Sequence, residues 1–143
     1  MANSITANLM VSDMEASLRF YHERIGLPMA FTVDGDQNTD MPGVIKPGVV
    51  FASLRAGEAE MMLQERASMA EDAPAAFSES DTPGGTLSLY FRVDDVDEVV
   101  ARLGEVDVVK PLQLTWYGMK EIWVRDPDGY VITVGTPEGP PPE

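Results

Sequence analysis

Apolar and polar residues alternate along ITANLMV, residues 5–11. Side chains two apart share a face of a strand, so Ile5, Ala7, Leu9 and Val11 fall on one side and Thr6, Asn8 and Met10 on the other. TLSLYFRV, residues 86–93, splits the same way, with Leu87, Leu89, Phe91 and Val93 against Thr86, Ser88, Tyr90 and Arg92. After each strand the apolar spacing lengthens to three and four residues, the mark of a helix with one buried stripe. The stripe is Met14, Leu18 and Tyr21 in the first case and Val96, Val100 and Leu103 in the second, and adding 82 to each member of the first set yields the second. VSDME at 11–15 and VDDVD at 93–97 carry the same offset. Ser12 and Asp94 are the predicted N-caps, with an acid three residues on in each copy. A match across strand, cap and helix identifies an internal repeat.

Strand patterns follow each helix. In the first half they are PMAFTVD, VVFASLRA and EAEMMLQE; in the second they are VDVVKPLQL, KEIWVRD and YVITVGT, the last two joined by the turn Asp126-Pro127-Asp128-Gly129. Each half therefore reads β-α-β-β-β, an α+β chain of two tandem modules. The first covers 1–66 and the second 86–137. Residues 67–85, rich in Ala, Ser, Pro, Gly and acids, read as a connector, and 138–143 as a disordered tail. The whole is expected to form one structural domain.

The same alternation leaves a second face on several strands. Met61 and Leu63 point inward and Glu60, Met62 and Gln64 outward; Ile122 and Val124 inward and Glu121, Trp123 and Arg125 outward; Tyr130, Ile132 and Val134 alternate with Val131, Thr133 and Gly135. Were the outward faces merely solvated, Met10, Met62, Tyr90, Trp123 and Val131 would form an exposed apolar patch, which points to a ligand cleft or a subunit interface.

Composition narrows the partners. The chain has 143 residues, with 10 Lys and Arg against 24 Asp and Glu and a net charge of −14. No basic stripe exists to displace counterions from nucleic acid or to bind an anionic membrane. With no cysteine, thiolate metal sites, disulfides and Cys nucleophiles are excluded. No targeting or membrane-spanning segment stands out, and a cytoplasmic location is expected. His22, the single histidine, lies on the flank of the first helical stripe, where a boundary role is expected, and a Ser-His-Asp triad has no support. Asp126 and Asp128 belong to a turn, and Asp94, Asp95, Asp97 and Glu98 to a helix start. Gly84-Gly85 lacks the spacing and the Lys of a phosphate loop. Glu121 reads two ways: as a solvated charge or partner for Arg92 or Arg125, or as a carboxylate fixing a ligand that stacks on aromatic rings. Trp116 and Tyr117, followed by Gly118, are expected in a loop at the cleft mouth.

VSDMEASLRFYHERIGL, LYFRVDDVDEVVARL and WYGMKEIWVRDPDGYVITV together resemble the vicinal oxygen chelate superfamily, which groups glyoxalases, extradiol dioxygenases and bleomycin resistance proteins. The resemblance covers about residues 5–137 and is most specific in WYGMKE…VRDPDGY. It implies paired βαβββ modules whose mixed sheet curls around a shared cleft, commonly in a homodimer. It also implies metal ligands on the first and fourth strands of each module, at positions that here hold Thr6, Met62, Ser88 and Thr133. None is His or Glu, so a divalent metal is not expected, nor any other cofactor. The expectation is a metal-independent protein of the bleomycin-resistance-like branch that sequesters a small, planar or cationic organic molecule. The ligand-binding candidates are Asn8, Met10, Arg55, Met62, Gln64, Ser88, Tyr90, Arg92, Trp116, Tyr117, Glu121, Trp123 and Thr133. The alternatives are a metal-dependent lyase or dioxygenase of the same superfamily, and a dimeric interaction module without a ligand.

Overall fold

A computed structural model describes residues 1–41 and 44–139. The chain is α+β and divides into two compact units, Met1–Pro83 and Gly84–Glu143. Each has its own mixed sheet.

The first unit runs β1 (Ala7–Val11), α1 (Met14–Leu18, continued by wider turns over Arg19–Ile25), β2 (Met29–Asp34), β3 (Thr39–Asp40), β4 (Val49–Ala56), β5 (Ala59–Glu65) and α2 (Arg66–Asp72). Its five strands lie in the order β1-β5-β4-β2-β3, with β1 and β5 parallel and the other pairs antiparallel. The second unit runs β6 (Ser88–Arg92), α3 (Val96–Leu103), β7 (Asp107–Leu114), β8 (Met119–Arg125) and β9 (Val131–Pro137). Its order is β6-β9-β8-β7, with β6 and β9 parallel. In both units a helix follows the first strand, and that strand pairs in parallel with the last one. The repeat extends to register: Asn8 faces Met62 across β1 and β5 as Tyr90 faces Thr133 across β6 and β9.

Both helices start one residue later than the sequence reading placed them. Asp13 Oδ1 accepts from the Ala16 N–H at 3.1 Å, and Asp95 Oδ1 from the Asp97 N–H at 2.9 Å, so these two, and not Ser12 and Asp94, cap the exposed donors. The carboxylate nearer the first turn wins because it also meets the positive end of the helix dipole. Met14, Leu18 and Tyr21 are buried as the spacing required. In α3 the buried stripe is Val96, Val99 and Leu103, with Val100 on its flank. Gly26, at φ +94°, ends the first helix in a conformation that disfavours a side chain.

Some expectations fail at the edges. Ile5 and Leu87 precede their strands and are exposed. α2 occupies the beginning of the expected connector; Met69 is its one buried residue, too little for periodicity to reveal. The two-residue β3 sits in a stretch read as loop, held by pairing with Thr32 and Val33. Of the expected tail, Glu138 donates its N–H to the Gly118 carbonyl at 2.8 Å, while 140–143 lie outside the described residues. Among the described residues no helix is long and apolar enough to cross a membrane.

Candidate functional site

The inner side chains of the second unit, among them Ile122, Val124, Ile132 and Val134, are buried on the face that meets α3. Alternation then places a different set on the opposite face, and register aligns it in rows across the strands. Tyr90, Thr133, Trp123 and Lys110 form one row; Arg92, Gly135 and Glu121 fall in the next.

Glu121 is the centre of this face. It is 1% exposed. Its Oε2 accepts from the Tyr90 hydroxyl at 2.8 Å, and its Oε1 from the Tyr117 hydroxyl at 2.5 Å and from Trp123 Nε1–H at 3.1 Å. A buried carboxylate without partners would be driven to protonate. Here burial, the largest single influence, pushes the pKa upward, but the three donors and the Lys110 ammonium together outweigh it and hold the carboxyl below its ordinary value. The donors shift the other way. Burial first, and the Glu121 carboxylate second, push the Tyr90 phenol well up; for Tyr117 the hydrogen bond to Glu121 leads. All three aromatic side chains are thus tied by their polar ends to one ionised group, which fixes where each ring reaches.

Packing completes the platform. Thr133 is 1% exposed beside Tyr90 and Trp123 in its row. Gly135 leaves room for the Tyr90 ring, whose Cζ would stand 3.2 Å from a Cβ at that position. Lys110 Nζ lies 5.8 Å from the Trp123 ring centroid, within cation–π range. Tyr117 comes from the turn between β7 and β8, which Thr115 closes by donating its N–H to the Met119 carbonyl at 2.7 Å. Trp116, in the same turn, meets Tyr117 edge-on at 5.2 Å but is 84% exposed and stays off the platform. Ser88 and Arg92 are exposed on β6.

The first unit gathers a different set. Gln64 is buried; its Oε1 accepts from Asn8 Nδ2 at 2.9 Å, and its Nε2 donates to Ser68 Oγ at 2.9 Å and Asp72 Oδ2 at 2.8 Å. It borders a cavity of about 350 Å³ between Val33 and Phe51 on one side and Ser68 and Asp72 on the other. Ser68 and Asp72 were missed because they ride on α2, read as connector. Met10 is buried, Met62 half-buried, and Arg55 exposed near the β4–β5 hairpin, apart from the Gln64 network. His22 Nδ1–H donates to the Leu27 carbonyl at 2.8 Å, tying the end of the first helix to the following strand. Asp126 Oδ1 accepts from the N–H groups of Asp128 and Tyr130, each at 2.9 Å, as a turn former.

The positions where the resemblance implies a metal do not fit one. The shared register makes Met62 the counterpart of Thr133, and with Thr6 and Ser88 the set offers three hydroxyls and a thioether. Divalent first-row metals in such folds require imidazole or carboxylate. Among the described residues no group of three or more His, Asp or Glu side chains converges.

A scan against family models matches residues 3–134 to the Glyoxalase/Bleomycin resistance protein/Dioxygenase superfamily. No curated protein matches the sequence. Among solved structures, a protein of unknown function from Agrobacterium tumefaciens superposes with a TM-score of 0.72 at 23% identity, over 95% of this chain and 94% of that one. A glyoxalase-related enzyme from Fulvimarina pelagi gives 0.68 at 18% identity, over 95% and 88%. A lactoylglutathione lyase from Agrobacterium tumefaciens gives 0.61 at 22%, over 94% of each chain. At these identities the likeness establishes the fold.

Proposed function

The chain belongs to the Glyoxalase/Bleomycin resistance protein/Dioxygenase superfamily, and we propose that within it the protein binds a small planar organic molecule without a metal and without bond chemistry. The observation that carries this reading is the condition of Glu121. A general base needs a free lone pair and a pKa raised toward neutrality. Glu121 keeps one acceptor position, on Oε2, but its pKa is depressed away from that range and both oxygens already accept hydrogen bonds. What the carboxylate does is hold Tyr90, Tyr117 and Trp123 rigid, and rigid aromatic surface is what stacking requires, since little side-chain entropy is then lost on binding. The donor set Thr6, Met62, Ser88 and Thr133 supports a metal-independent mode. Sequestration, as in the bleomycin-resistance branch, is the role such binding would serve.

Tryptophan fluorescence tests this. The Trp116→Phe variant leaves Trp123 as the one tryptophan of the chain's two. Saturable quenching by a bicyclic aromatic such as 2-naphthamide, in the presence of EDTA, is the expected result. A flat response across a panel of bicyclic and tricyclic compounds would overturn the reading.

A second reading has its own support. β7 is the outer strand of its sheet, and Val108, Val109 and Leu114 on it are exposed. An apolar edge strand of this kind is a site for pairing with another chain, so this unit serves as a dimer interface in that reading. Sedimentation of Val109→Lys against wild type distinguishes it: dissociation of a dimer by the charge supports the interface, and an unchanged monomer removes it.

A further inference from the structure

We propose that the molecule stacked on the Glu121 platform is an organic anion, selected by Arg92 and Lys110. This rests on the preceding reading of the platform as a binding surface and adds the charge of what it binds.

The few cations stand in unequal surroundings. In a chain of net charge −14, most basic side chains with a resolved partner hold carboxylates: Arg19 with Glu15 and Glu23, Lys120 with Asp97, Arg125 with Asp107. Arg92 and Lys110 differ. Arg92 is exposed, follows Tyr90 by two residues on β6, and stands in no ion pair among the described residues. Lys110, on β7, makes no ion pair there either; its ammonium lies over the Trp123 ring and acts on Glu121 at longer range. The Arg125–Asp107 pair, on the neighbouring row, is already neutral at 3.1 Å. Counting Glu121 against Arg92 and Lys110 leaves this face one positive charge in excess, on a molecule that is acidic almost everywhere else.

The arrangement of these charges decides what a ligand meets. Glu121 is buried beneath the rings and its oxygens face Tyr90, Tyr117 and Trp123, so its charge is spent inside the sheet. The two cations stand at the borders of the aromatic surface, on the outer strands β6 and β7. Three inter-strand gaps separate these strands, roughly 14 Å of backbone that two long side chains can narrow. Any ligand stacked on Trp123 moves the Lys110 ammonium aside, and a cationic one would then sit between two like charges, Lys110 and Arg92. A neutral one would stack but leave both cations unserved. A carboxylate or sulfonate carried on a bicyclic aromatic body places its rings on Tyr90 and Trp123 and its charge against the guanidinium or the ammonium, where charge-assisted hydrogen bonds form. The acidic remainder of the surface opposes anions at long range, so discrimination comes from these two local cations and shows most clearly at about 0.1 M salt, where distant charges are screened more than contacts.

Calorimetric titration with three probes of one shape tests the proposal: 2-naphthoate, 2-naphthamide and protonated 2-naphthylmethylamine, at about 0.1 M salt with EDTA. The expected order is naphthoate about tenfold tighter than the amide, or about 1.4 kcal/mol, with the ammonium weakest. The Arg92→Gln, Lys110→Gln double variant is expected to bring naphthoate and amide within about threefold, whereas Arg19→Gln on the other unit keeps the full preference. Both replaced side chains are on exposed strand positions, so folding is not at issue. If the amide or the ammonium binds wild type as tightly as naphthoate, or if the preference survives in the double variant, the charge selection is wrong while the platform stands. If none of the three probes binds, the platform reading falls, and the anion with it.

Discussion

Gly135 is the gap through which Tyr90 reaches Glu121. A Cβ at Gly135 would overlap the Tyr90 hydroxyl and stand 3.2 Å from both Tyr90 Cζ and Met119 Cε. Tyr90 lies on β6 and Glu121 on β8, so the phenol has to cross β9 to donate its hydrogen bond, and it crosses where β9 has no side chain. Gly135→Ala is therefore expected to destabilise the protein by about 1–3 kcal/mol through forced repacking. Tyr90→Phe, which removes the overlapping oxygen and one donor to Glu121, is expected to cost about 1 kcal/mol. Because Phe relieves the worst clash, the double variant should lose less than the sum of the two. Urea unfolding of the four proteins measures this coupling, and strict additivity would mean that the ring does not lie over Gly135.

Acid stability depends on Glu121. Its folded pKa is lowered from the ordinary 4.5, so its contribution is present above that value and is lost as pH falls through the lower folded one. The urea midpoint of wild type is expected to drop more steeply below about pH 4.5 than that of Glu121→Gln, which has no proton to take up. Parallel curves for the two proteins would contradict an ionised Glu121.

At the alkaline end the sign reverses. Tyr90 is raised above the ordinary 10.0, first by burial and then by the neighbouring carboxylate, so its contribution is present below pH 10 and fades as pH rises toward the folded value. Absorbance at the tyrosinate band is expected to lose a transition above pH 10 in Tyr90→Phe, and to show that transition moved back toward 10 in Glu121→Gln.

The helix starts give a further contrast. Asp13→Ala and Asp95→Ala are each expected to cost about 1 kcal/mol, because each carboxylate accepts a first-turn N–H, and the neighbouring Asp94→Ala to fall within about half of that. Thermal unfolding of the three single variants reads the difference.

How far the sequence reached can be traced through these residues. Strand periodicity alone brings Tyr90, Glu121, Trp123 and Thr133 to one face, since a period of two leaves no choice once the core face is known. The 82-residue repeat reaches the first strand and helix of each unit; the closing strands do not share that offset, so the two parallel pairings and their register came only with the structure. Features that depend on three bodies were not legible. Gly135 reads as a weak strand residue until Tyr90 is seen crossing it. Tyr117 and Trp116 are neighbours of like chemistry, and only the turn geometry sends one hydroxyl to Glu121 and leaves the other ring in solvent. Ser68 and Asp72 sit on a helix with one apolar anchor, so their meeting with Gln64 left no pattern. The capping aspartates were off by one because adjacent polar residues compete for the same role, and the backbone decides between them.

The central claim, that the Glu121 platform takes up a planar molecule without a metal, is tested most directly by the indole N–H signals of the full chain in EDTA. Trp123 donates its indole N–H to Glu121 and Trp116 is exposed, so the two signals of the protein are distinct. On titration with 2-naphthamide the Trp123 signal is expected to shift saturably while that of Trp116 stays near its place. A Trp123 signal that does not move, or that moves only after a divalent metal is added back, would contradict the account.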